Sequence, residues 1–266
     1  MTLGIITISF NQAQYLQEAI DSVQLSKPDK LRYVIVDPGS KDGSLDIIEK
    51  NKDRFSRMIL EPDKGPTDGL NKGFAACDAD ILGYLNSDDR FVPGGLDWVY
   101  RYFEEHPDID LLLGAIRIID QNGKAKLRGR APDHLDLTKY SHASCYFWQQ
   151  ATFFRRSLYE KTKGFNPASK VFWDGELVLD MALAGARIGY TNTILGDFRI
   201  YPGSITGSLS QQARWKVEYG WFQERIAKHG YRVMTPAEEK RARFIYKYNP
   251  IRHLKCTFGI HMPPRV

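Results

Sequence analysis

The sequence predicts an α/β fold in which helices flank a mixed, mostly parallel sheet and a helical extension follows at the C-terminus. Three observations support this prediction. Over about the first 90 residues, short apolar runs rich in β-branched residues alternate with segments of helical spacing. Polar residues stand at or just after the ends of the apolar runs. Beyond residue 207 the alternation stops, and mostly helical segments rich in Arg, Lys, Tyr and Trp follow.

Four strands and three helices are predicted in the first part of the chain. The strands cover residues 3–10, 31–36, 55–61 and 80–85, and the helices cover residues 11–23, 45–50 and 67–76. Ser44 is the expected N-cap of the second helix. Because ligands bind outside the carboxyl ends of the strands in such sheets, polar residues at these ends are expected to converge on one edge. They are Thr7, Ser9, Asn11, Asp37, Asp63, Asp88 and Asp89.

The second part of the chain is less regular. It predicts helices over residues 95–106 and 173–185, and strands over residues 109–119, 149–155, 187–193 and 196–201. Residues 120–123 carry the Asn-Gly signal of a hairpin turn. We expect one domain over residues 1–206 and a basic helical extension over residues 207–266.

Composition limits the classes of function. The net charge of +5 and the pI of about 8.9 suit an anionic ligand or an anionic membrane surface, but the charge is too dispersed to indicate nucleic acid. The three widely separated cysteines are typical of reduced thiols. The sequence has no signal-peptide pattern and no apolar run long enough to cross a bilayer. We therefore expect a cytoplasmic protein, either soluble or peripheral at the inner face of the membrane.

Two adjacent carboxylates, Asp88 and Asp89, end the fourth predicted strand in GYLNSDDRF. A solvated turn is the simplest interpretation, and a divalent cation held by carboxylate oxygens is the second. An acid–base pair is the weakest, because adjacent side chains of an extended chain point apart. Neither GxxxxGK[ST] nor GxGxxG is present at the first strand, which disfavours an ATP or dinucleotide site and favours the metal.

Four segments, in order, resemble the motifs of glycosyltransferase family 2, the inverting GT-A enzymes. TISFNQAQYLQEAIDSV is similar to the family's first strand and helix, VIVDPGSKDGS to its second-strand signature, DKGPTDGLNKGF to its D-x-G-x-x-D-A-x-N-x-G segment, and GYLNSDD to its DxD-type metal motif. A weaker resemblance continues from residue 149 to FRIYPGSIT.

The resemblance implies a Rossmann-like GT-A fold and a metal-dependent hexosyltransferase. The enzyme would move a sugar from a nucleotide-sugar, by default a UDP-sugar, to an acceptor hydroxyl in bacterial polysaccharide or glycolipid synthesis. Residues 1–92 would form the nucleotide-sugar half of the domain, and residues 93–206 the acceptor half. The partners implied are the donor and a glycan or lipid-linked acceptor.

The resemblance also implies roles for single residues. Asp37 would pair with the base or ribose, although Asp37-x-x-Ser40 equally predicts a turn cap. Asp89 would be the direct ligand of Mn²⁺ or Mg²⁺, and Asp88 would face the sugar or share the metal. Arg199 would meet a phosphate, or else serve as a structural ion-pair partner. Further donor contacts are expected from Thr7, Ser9, Asn11, Asp63, Lys64, Asn71, Lys72 and Ser87.

Asp174 matches the family's general base, at the start of a predicted helix. Capping of that helix is its alternative role, and both can hold at once. Glu176 is the competing candidate for the base. Three residues depart from the family pattern: Pro38 after Asp37, Trp173 before the base, and Tyr201 in place of a histidine.

Two other functions remain open at this point. A nucleotidyltransferase would need a Gly-rich basic loop after the first strand, which SFNQAQY does not provide. An inactive GT-A scaffold is disfavoured by intact Asp37, Asp88, Asp89 and Asp174. The basic, aromatic tail over residues 214–255 would rest on a membrane, pack on the domain or form a homodimer. No nucleic-acid partner is expected.

Overall fold

The structure, a computed structural model, describes residues 1–204, 206 and 212–248. Its strands are β1 (Leu3–Ile8), β2 (Leu31–Val36), β3 (Arg57–Ile59), β4 (Ile81–Asn86), β5 (Arg90–Phe91), β6 (Leu111–Ile119), β7 (Ala125–Gly129), β8 (Thr152–Arg155) and β9 (Ile188–Arg199). Its helices are α1 (Ala13–Ser22), α2 (Ser44–Lys50), α3 (Pro66–Ala76), α4 (Gly95–Glu105), α5 (Leu137–Ser141), α6 (Arg156–Tyr159), α7 (Trp173–Leu183), α8 (Gln212–Lys228) and α9 (Pro236–Tyr248).

The described strands form a single mixed sheet in the order β3-β2-β1-β4-β8-β6-β9-β5, with β7 paired to β6. The first four strands of this order run parallel to one another, and β9 runs parallel to β6. β8 is antiparallel to both of its neighbours and joins the two parallel groups. The predicted α/β class, a mixed and mostly parallel sheet flanked by helices with further helices after it, is confirmed.

The strand register brings the carboxyl ends of the first strands to one level. Ile8 of β1 lies opposite Val36 of β2 and Asn86 of β4. The residues that follow these three strands therefore start side by side. The predicted convergence of strand ends on one edge is confirmed for β1, β2 and β4.

Two apolar cores cover the two faces of the sheet because neighbouring side chains on a strand point to opposite sides. Ile5 packs on one face with Leu16 of α1, and Ile6 packs on the other with Phe74 of α3. Gly73 allows α3 to approach β1 closely, since a Cβ atom at this position would lie 2.6 Å from the Ile6 side chain.

Several predicted boundaries were wrong. Residues 187–193 and 196–201 do not form two strands but the single strand β9, whose pairing with β6 shifts register near Ala115. Residues 149–151 form a 3₁₀ turn before β8, and β3 is much shorter than predicted. Ser44 is not an N-cap: Gly43, with a φ of 100°, holds that position, and the Ser44 hydroxyl donates to Asp42.

The C-terminal helices pack on the domain, which was one of the alternatives for this segment. Phe222 and Ile226 of α8 are buried, and the Phe222 ring stacks on Tyr140 of α5. Within the described part of the chain, no helix is both long enough and apolar enough to cross a membrane. Residues 207–211 and 249–266 of the predicted extension lie outside the described residues.

Candidate active site

A cavity of about 1430 Å³ opens at the carboxyl ends of β1, β2 and β4. Part of its lining, here called the strand-end wall, comes from the loops after these strands, and another part, here called the helical wall, comes from the start of α7 and from α8 and α9. Residues between positions 143 and 150 also contribute to the lining. Of the predicted site residues, six line the cavity: Ser9, Asp63, Ser87, Asp88, Asp89 and Asp174. The remaining predicted residues, Thr7, Asn11, Asp37, Lys64, Asn71, Lys72 and Arg199, are not among its lining residues.

Asp88 and Asp89 differ in how far their oxygens are occupied. Asp89 is 2% exposed, its Oδ1 accepts the Arg199 amide at 2.8 Å and its Oδ2 accepts the Gln150 side chain at 2.7 Å. The Asp88 carboxylate accepts one long bond, at 3.3 Å, from the Tyr201 hydroxyl. Asp88 therefore has the more available oxygens in the cavity, whereas Asp89 is held in place by its surroundings.

The pair carries charge that its surroundings do not neutralise well. Burial raises the pKa of Asp88, and burial together with the neighbouring Asp88 raises the pKa of Asp89 well above its usual range. The guanidinium of Arg199 binds the backbone carbonyl of Asp88 at 2.7 Å rather than its carboxylate. A cation that entered the cavity would therefore be favoured beside these oxygens.

The donor set fits a magnesium- or manganese-type ion that also contacts a ligand. Among the residues described, no group of three or more His, Cys, Asp and Glu side chains could hold a metal by themselves. Mg²⁺ is commonly bound by one or two carboxylates plus substrate phosphates. The carboxylate of Asp88, which lines the cavity and accepts a long bond from Tyr201, matches that smaller requirement with Asp89 beside it.

Asp37 has the turn role that Asp37-x-x-Ser40 predicts. It is fully buried, its Oδ1 accepts the amides of Gly39 and Ser40, and its Oδ2 accepts the Ser40 hydroxyl at 2.7 Å. Pro38, which departs from the family pattern, lines the cavity instead. The carboxylate of Asp37 thus shapes the loop that carries Pro38, and the structure does not place it against a ligand.

Of the predicted residues in and after β1, two bond to neighbouring parts of the protein and one lines the cavity. The Thr7 hydroxyl is buried in the sheet and bonds to Tyr33 at 3.1 Å. Asn11, at a φ of 51°, accepts the Lys41 amide and so joins the loops after β1 and β2. The Ser9 side chain lines the cavity, and its buried hydroxyl has no hydrogen-bond partner among the described residues. Ser9 is therefore the residue of this strand end that is available to a ligand.

Residues of the third segment mostly support the loop and helix α3. Asp63 lines the cavity and accepts the Gly65 amide at 2.8 Å. Asn71 bonds both backbone groups of Phe165, and Lys72 donates to the Pro62 carbonyl. The backbone amide of Lys64 donates to Asp68. Asn71 and Lys72 thus bond to backbone groups of the protein, and neither is among the residues that line the cavity.

Arg199 is a structural residue. It is 1% exposed, pairs with Glu18, and its guanidinium carbon lies 4.4 Å from the centre of the Tyr15 ring. It also donates to the carbonyls of Asp120 and Gln121. The structure therefore favours the ion-pair role for Arg199 over the phosphate role, because the guanidinium is bonded to protein groups and Arg199 is not among the cavity-lining residues.

Asp174 belongs to the helical wall, in the first turn of α7. It is not the N-cap, which is Phe172, and its Oδ1 accepts the neighbouring Gly175 amide at 2.8 Å. Burial raises its pKa to about 6, and the charge of Glu218 adds to the rise. A carboxylate of this kind can accept a proton near neutral pH more readily than an ordinary aspartate.

The competing candidate, Glu176, is committed elsewhere. It is buried, accepts two bonds from Asn166 and pairs with Arg225 at 2.5 Å. It is not among the residues that line the cavity. Of the two acidic residues in the first turn of α7, only Asp174 faces the cavity.

The sequence did not predict a role for Glu218 of α8, which binds the loop directly before Asp174. Its carboxylate is 1% exposed and accepts the Ser169 hydroxyl and the backbone amides of Lys170, Val171 and Phe172 at 2.8–3.3 Å. The loop directly before α7 is thus fastened by a helix more than 40 residues later in the chain. The sequence around Glu218 contains no pattern that predicts this contact.

Tyr201 also lines the cavity, close to the carboxylate pair. Its hydroxyl lies 3.2 Å from the Gln12 side-chain amide and 3.3 Å from Asp88 Oδ2. The residue that replaces the family's histidine therefore still touches the carboxylate pair. Its departure from the pattern was the sequence signal that could have found it.

Known proteins resemble the chain over most of its length. The sequence profile of Glycosyl transferase family 2 matches residues 4–165. An uncharacterized glycosyltransferase of Mycobacterium tuberculosis is 28% identical over 261 residues, which is 93% of each chain. The minor teichoic acid biosynthesis protein GgaA of Bacillus subtilis is 26% identical over 192 residues, covering 68% of this chain and 43% of that protein.

Solved structures share the fold. S. aureus TarS residues 1–349 in complex with UDP-GlcNAc has a TM-score of 0.68 at 17% identity, over 97% of this chain and 75% of that one. The mannosyltransferase PcManGT from Pyrobaculum calidifontis, in complex with GDP-Man and Mn²⁺, has a TM-score of 0.63 at 16% identity, over 96% and 72%. These likenesses place the fold of the chain among glycosyltransferase folds. The profile match over more than half of the sequence shows that the chain belongs to glycosyltransferase family 2.

Proposed function

We propose that the protein is an inverting, metal-dependent glycosyltransferase that moves a sugar from a nucleotide-sugar to an acceptor hydroxyl. The observation that carries the proposal is that Asp174, from the helical wall, lines the same cavity as Asp88 and Asp89, from the strand-end wall. Donor and acceptor could thus meet between a cation site and a base. A UDP-sugar is the expected donor, supported by the complex of TarS with UDP-GlcNAc. Cell-surface polysaccharide or glycolipid synthesis is the expected setting, supported by the similarity to the teichoic acid biosynthesis protein GgaA.

The donor would lie along the strand-end wall. Ser9, Asp63 and Ser87 offer polar groups there, and Pro38 forms part of the same surface. Asp37 would act indirectly, because its carboxylate fixes the turn that presents Pro38. The unpaired buried hydroxyl of Ser9 gives that wall a hydrogen-bonding group that a nucleoside could satisfy.

Asp88 would be the direct ligand of Mn²⁺ or Mg²⁺, with Asp89 as the supporting carboxylate. The motif alone predicted Asp89 as the direct ligand. We assign that role to Asp88 because both carboxylate oxygens of Asp89 accept hydrogen bonds, from the Gln150 side chain and the Arg199 amide. When bound, such an ion neutralises charge that develops on the leaving nucleoside diphosphate. Tyr201, through its bond to Asp88, would orient that carboxylate.

Asp174 would remove the proton of the acceptor hydroxyl. Its Oδ1 is occupied by the Gly175 amide, so Oδ2 is the oxygen that would receive the proton. A pKa of about 6 leaves the group mostly ionised at neutral pH, yet more basic than an exposed aspartate. Attack from this side of the sugar, opposite the leaving diphosphate, would invert the anomeric centre.

The proposal is tested by a screen of nucleotide-sugars for thermal stabilisation of the protein with Mn²⁺ or Mg²⁺, followed by transfer assays with the best donor. We expect one nucleotide-sugar to stabilise only in the presence of metal, and its product to carry the inverted anomeric configuration by NMR. Equal activity in EDTA would remove the metal from the mechanism. A retained configuration would remove the single-displacement role of Asp174.

A further inference from the structure

The charge of the chain is strongly divided between its two parts. Residues 212–266 contain twelve Lys and Arg against four Glu and no Asp, whereas residues 1–211 contain 25 Lys and Arg against 28 Asp and Glu. The C-terminal segment is therefore strongly basic, and the rest of the chain is slightly acidic. Such asymmetry is typical of a segment that meets a polyanionic surface.

Exposed apolar side chains concentrate in the same segment. Among the described residues, eight large apolar side chains are exposed, and five of them lie between residues 217 and 245: Val217, Tyr231, Val233, Phe244 and Ile245. Two of the five are adjacent on α9, where Phe244 is 64% exposed and Ile245 is 52% exposed. Adjacent exposed apolar side chains in a basic segment are typical of an interaction surface.

Helix α9 presents these side chains on one face. Lys240 and Phe244 are four residues apart, as are Arg241 and Ile245, so both pairs lie on the same side of the helix. The opposite side is fastened to the domain, where Glu239 bonds His142 at 2.8 Å and Arg243 donates to the His142 carbonyl. The outer face of α9, defined here as Lys240, Arg241, Phe244 and Ile245, consists of exposed residues on the side of the helix away from Glu239 and Arg243.

We propose that the outer face of α9 binds the surface of an anionic lipid bilayer. Phe244 and Ile245 would enter the boundary between headgroups and acyl chains, and Lys240 and Arg241 would meet the anionic headgroups. Apolar insertion and basic attraction together are the two signals that interfacial binding requires. A nucleic-acid surface would explain the basic residues but not the exposed Phe and Ile between them.

The position of α9 gives this surface a consequence for catalysis. Glu239 and Arg243, on the inner side of the helix, line the cavity that holds Asp174. A bilayer against the outer face would lie about one helix diameter, roughly 10–12 Å, from the cavity, a distance over which an acceptor carried on a lipid could reach the cavity from the membrane surface. This consequence rests on the proposed function, whereas binding to the bilayer does not.

Flotation of the full chain with vesicles tests the proposal. We expect binding to phosphatidylcholine vesicles that contain phosphatidylglycerol, on the order of tenfold stronger than to phosphatidylcholine alone, and weakening as salt is raised. No enzymatic step enters the assay, so failure here is distinct from failure of the proposed glycosyl transfer.

Variants locate the contact. Phe244→Glu and Ile245→Glu should each weaken vesicle binding on the order of tenfold, and Lys240→Gln with Arg241→Gln should remove most of the salt dependence. Leu127→Glu is the matched control, because Leu127 is 67% exposed on β7 and lies outside this face; it should bind as wild type. Because all four positions of the outer face are exposed, circular dichroism should show that these variants fold.

Three results would overturn the proposal. The first is vesicle binding that is independent of phosphatidylglycerol or absent. The second is equal loss of binding in Leu127→Glu and Phe244→Glu. The third is displacement from vesicles by a duplex oligonucleotide that Phe244→Glu binds as tightly as wild type, which would assign the basic face to nucleic acid.

Discussion

The two walls of the cavity are built by different means. On the donor wall, every lining residue from the predicted set follows the end of a parallel strand or the short loop after it. On the acceptor wall, Asp174 begins a helix, and the loop before that helix depends on Glu218 from α8. The donor wall is made by strand register, and the acceptor wall by contacts between segments far apart in the chain.

The two walls should therefore differ in how strongly a single substitution disturbs them. A register between parallel strands is fixed by a whole row of backbone hydrogen bonds, so one loop side chain can change without moving its neighbours. The acceptor wall concentrates its support in single buried side chains. One substitution there, outside the reacting groups, is expected to disturb the site.

The largest effect should come from Asp174→Asn, which separates the two walls functionally. The transfer rate should fall roughly 10²–10⁴-fold, because an amide cannot accept the acceptor's proton. Donor affinity should stay near that of wild type, since the donor is expected on the other wall. Rate and affinity are measured by product formation and by calorimetry with the nucleotide-sugar.

Asp180→Asn is the matched control for this change. It lies on the same helix, pairs with Arg225 at 2.6 Å and is not among the cavity-lining residues. Its rate should change by no more than a few-fold. If Asp180→Asn lost as much rate as Asp174→Asn, the effect would belong to helix α7 and not to a base.

A second comparison lies within the donor wall. Asp88→Asn should weaken Mn²⁺-dependent binding of a nucleoside diphosphate on the order of 10–100-fold, with little change in stability. Asp89→Asn should chiefly cost unfolding free energy, about 1–3 kcal/mol, because its new NH₂ group would face donors from Gln150 or Arg199. Calorimetry and chemical denaturation measure the two quantities. The reverse pattern would restore Asp89 as the direct ligand.

The donor half of the fold was largely predictable because its information is local. The runs at residues 3–10, 31–36 and 80–85 have the continuous apolar character of buried parallel strands, and they correspond to β1, β2 and β4. The polar residues after them were expected on one edge, and the cavity is there. Side-chain direction was not predictable in this way, since Thr7 and Ser9 follow the same pattern but only Ser9 reaches the cavity.

The acceptor half was less predictable because its decisive contacts are long-range. In the sequence, nothing distinguishes Glu218 from other glutamates of a helix. The packing of α8 brings its carboxylate to the backbone amides of residues 170–172. Strand β9 was divided in two because its register shift breaks the alternation of its side chains. Neither feature leaves a periodic signal in its own segment.

A third, smaller effect is expected from Glu218→Gln, which tests whether the acceptor wall depends on one buried carboxylate. The amide has one accepting oxygen in place of two, so some donors of residues 169–172 would lose their partner. We expect a loss of about 1.5–3 kcal/mol in unfolding free energy and a higher KM for the acceptor, with donor affinity unchanged. Glu224→Gln, at an exposed position of the same helix, should match wild type in all three measurements.

The outcome for KM separates positioning from stability alone. A variant that was less stable but kept the wild-type KM for the acceptor would show that Glu218 only holds the fold. Equal losses for donor and acceptor binding would show that the two walls are not independent, and the comparison between them would fail.

The smallest effect concerns pH and the state of Asp174. Since its pKa is raised to about 6, kcat/KM for the acceptor should fall about tenfold for each pH unit below that value. Because Glu218 contributes to the rise, Glu218→Gln should move this acidic limb to lower pH. A limb near pH 4 in the wild type, or one unmoved in Glu218→Gln, would contradict the assignment.

The same titration should appear in stability with a defined sign. The unfolded chain releases this proton near the ordinary value of 3.8, while the folded protein keeps it up to about pH 6. Between these values the folded state binds more protons, so wild-type stability falls with rising pH relative to Asp174→Asn, which has no proton to lose there. Denaturant unfolding at about pH 4 and above pH 6 measures the difference. Asp174→Asn should gain on the wild type across this window, and a constant difference would mean that burial does not raise the pKa of Asp174.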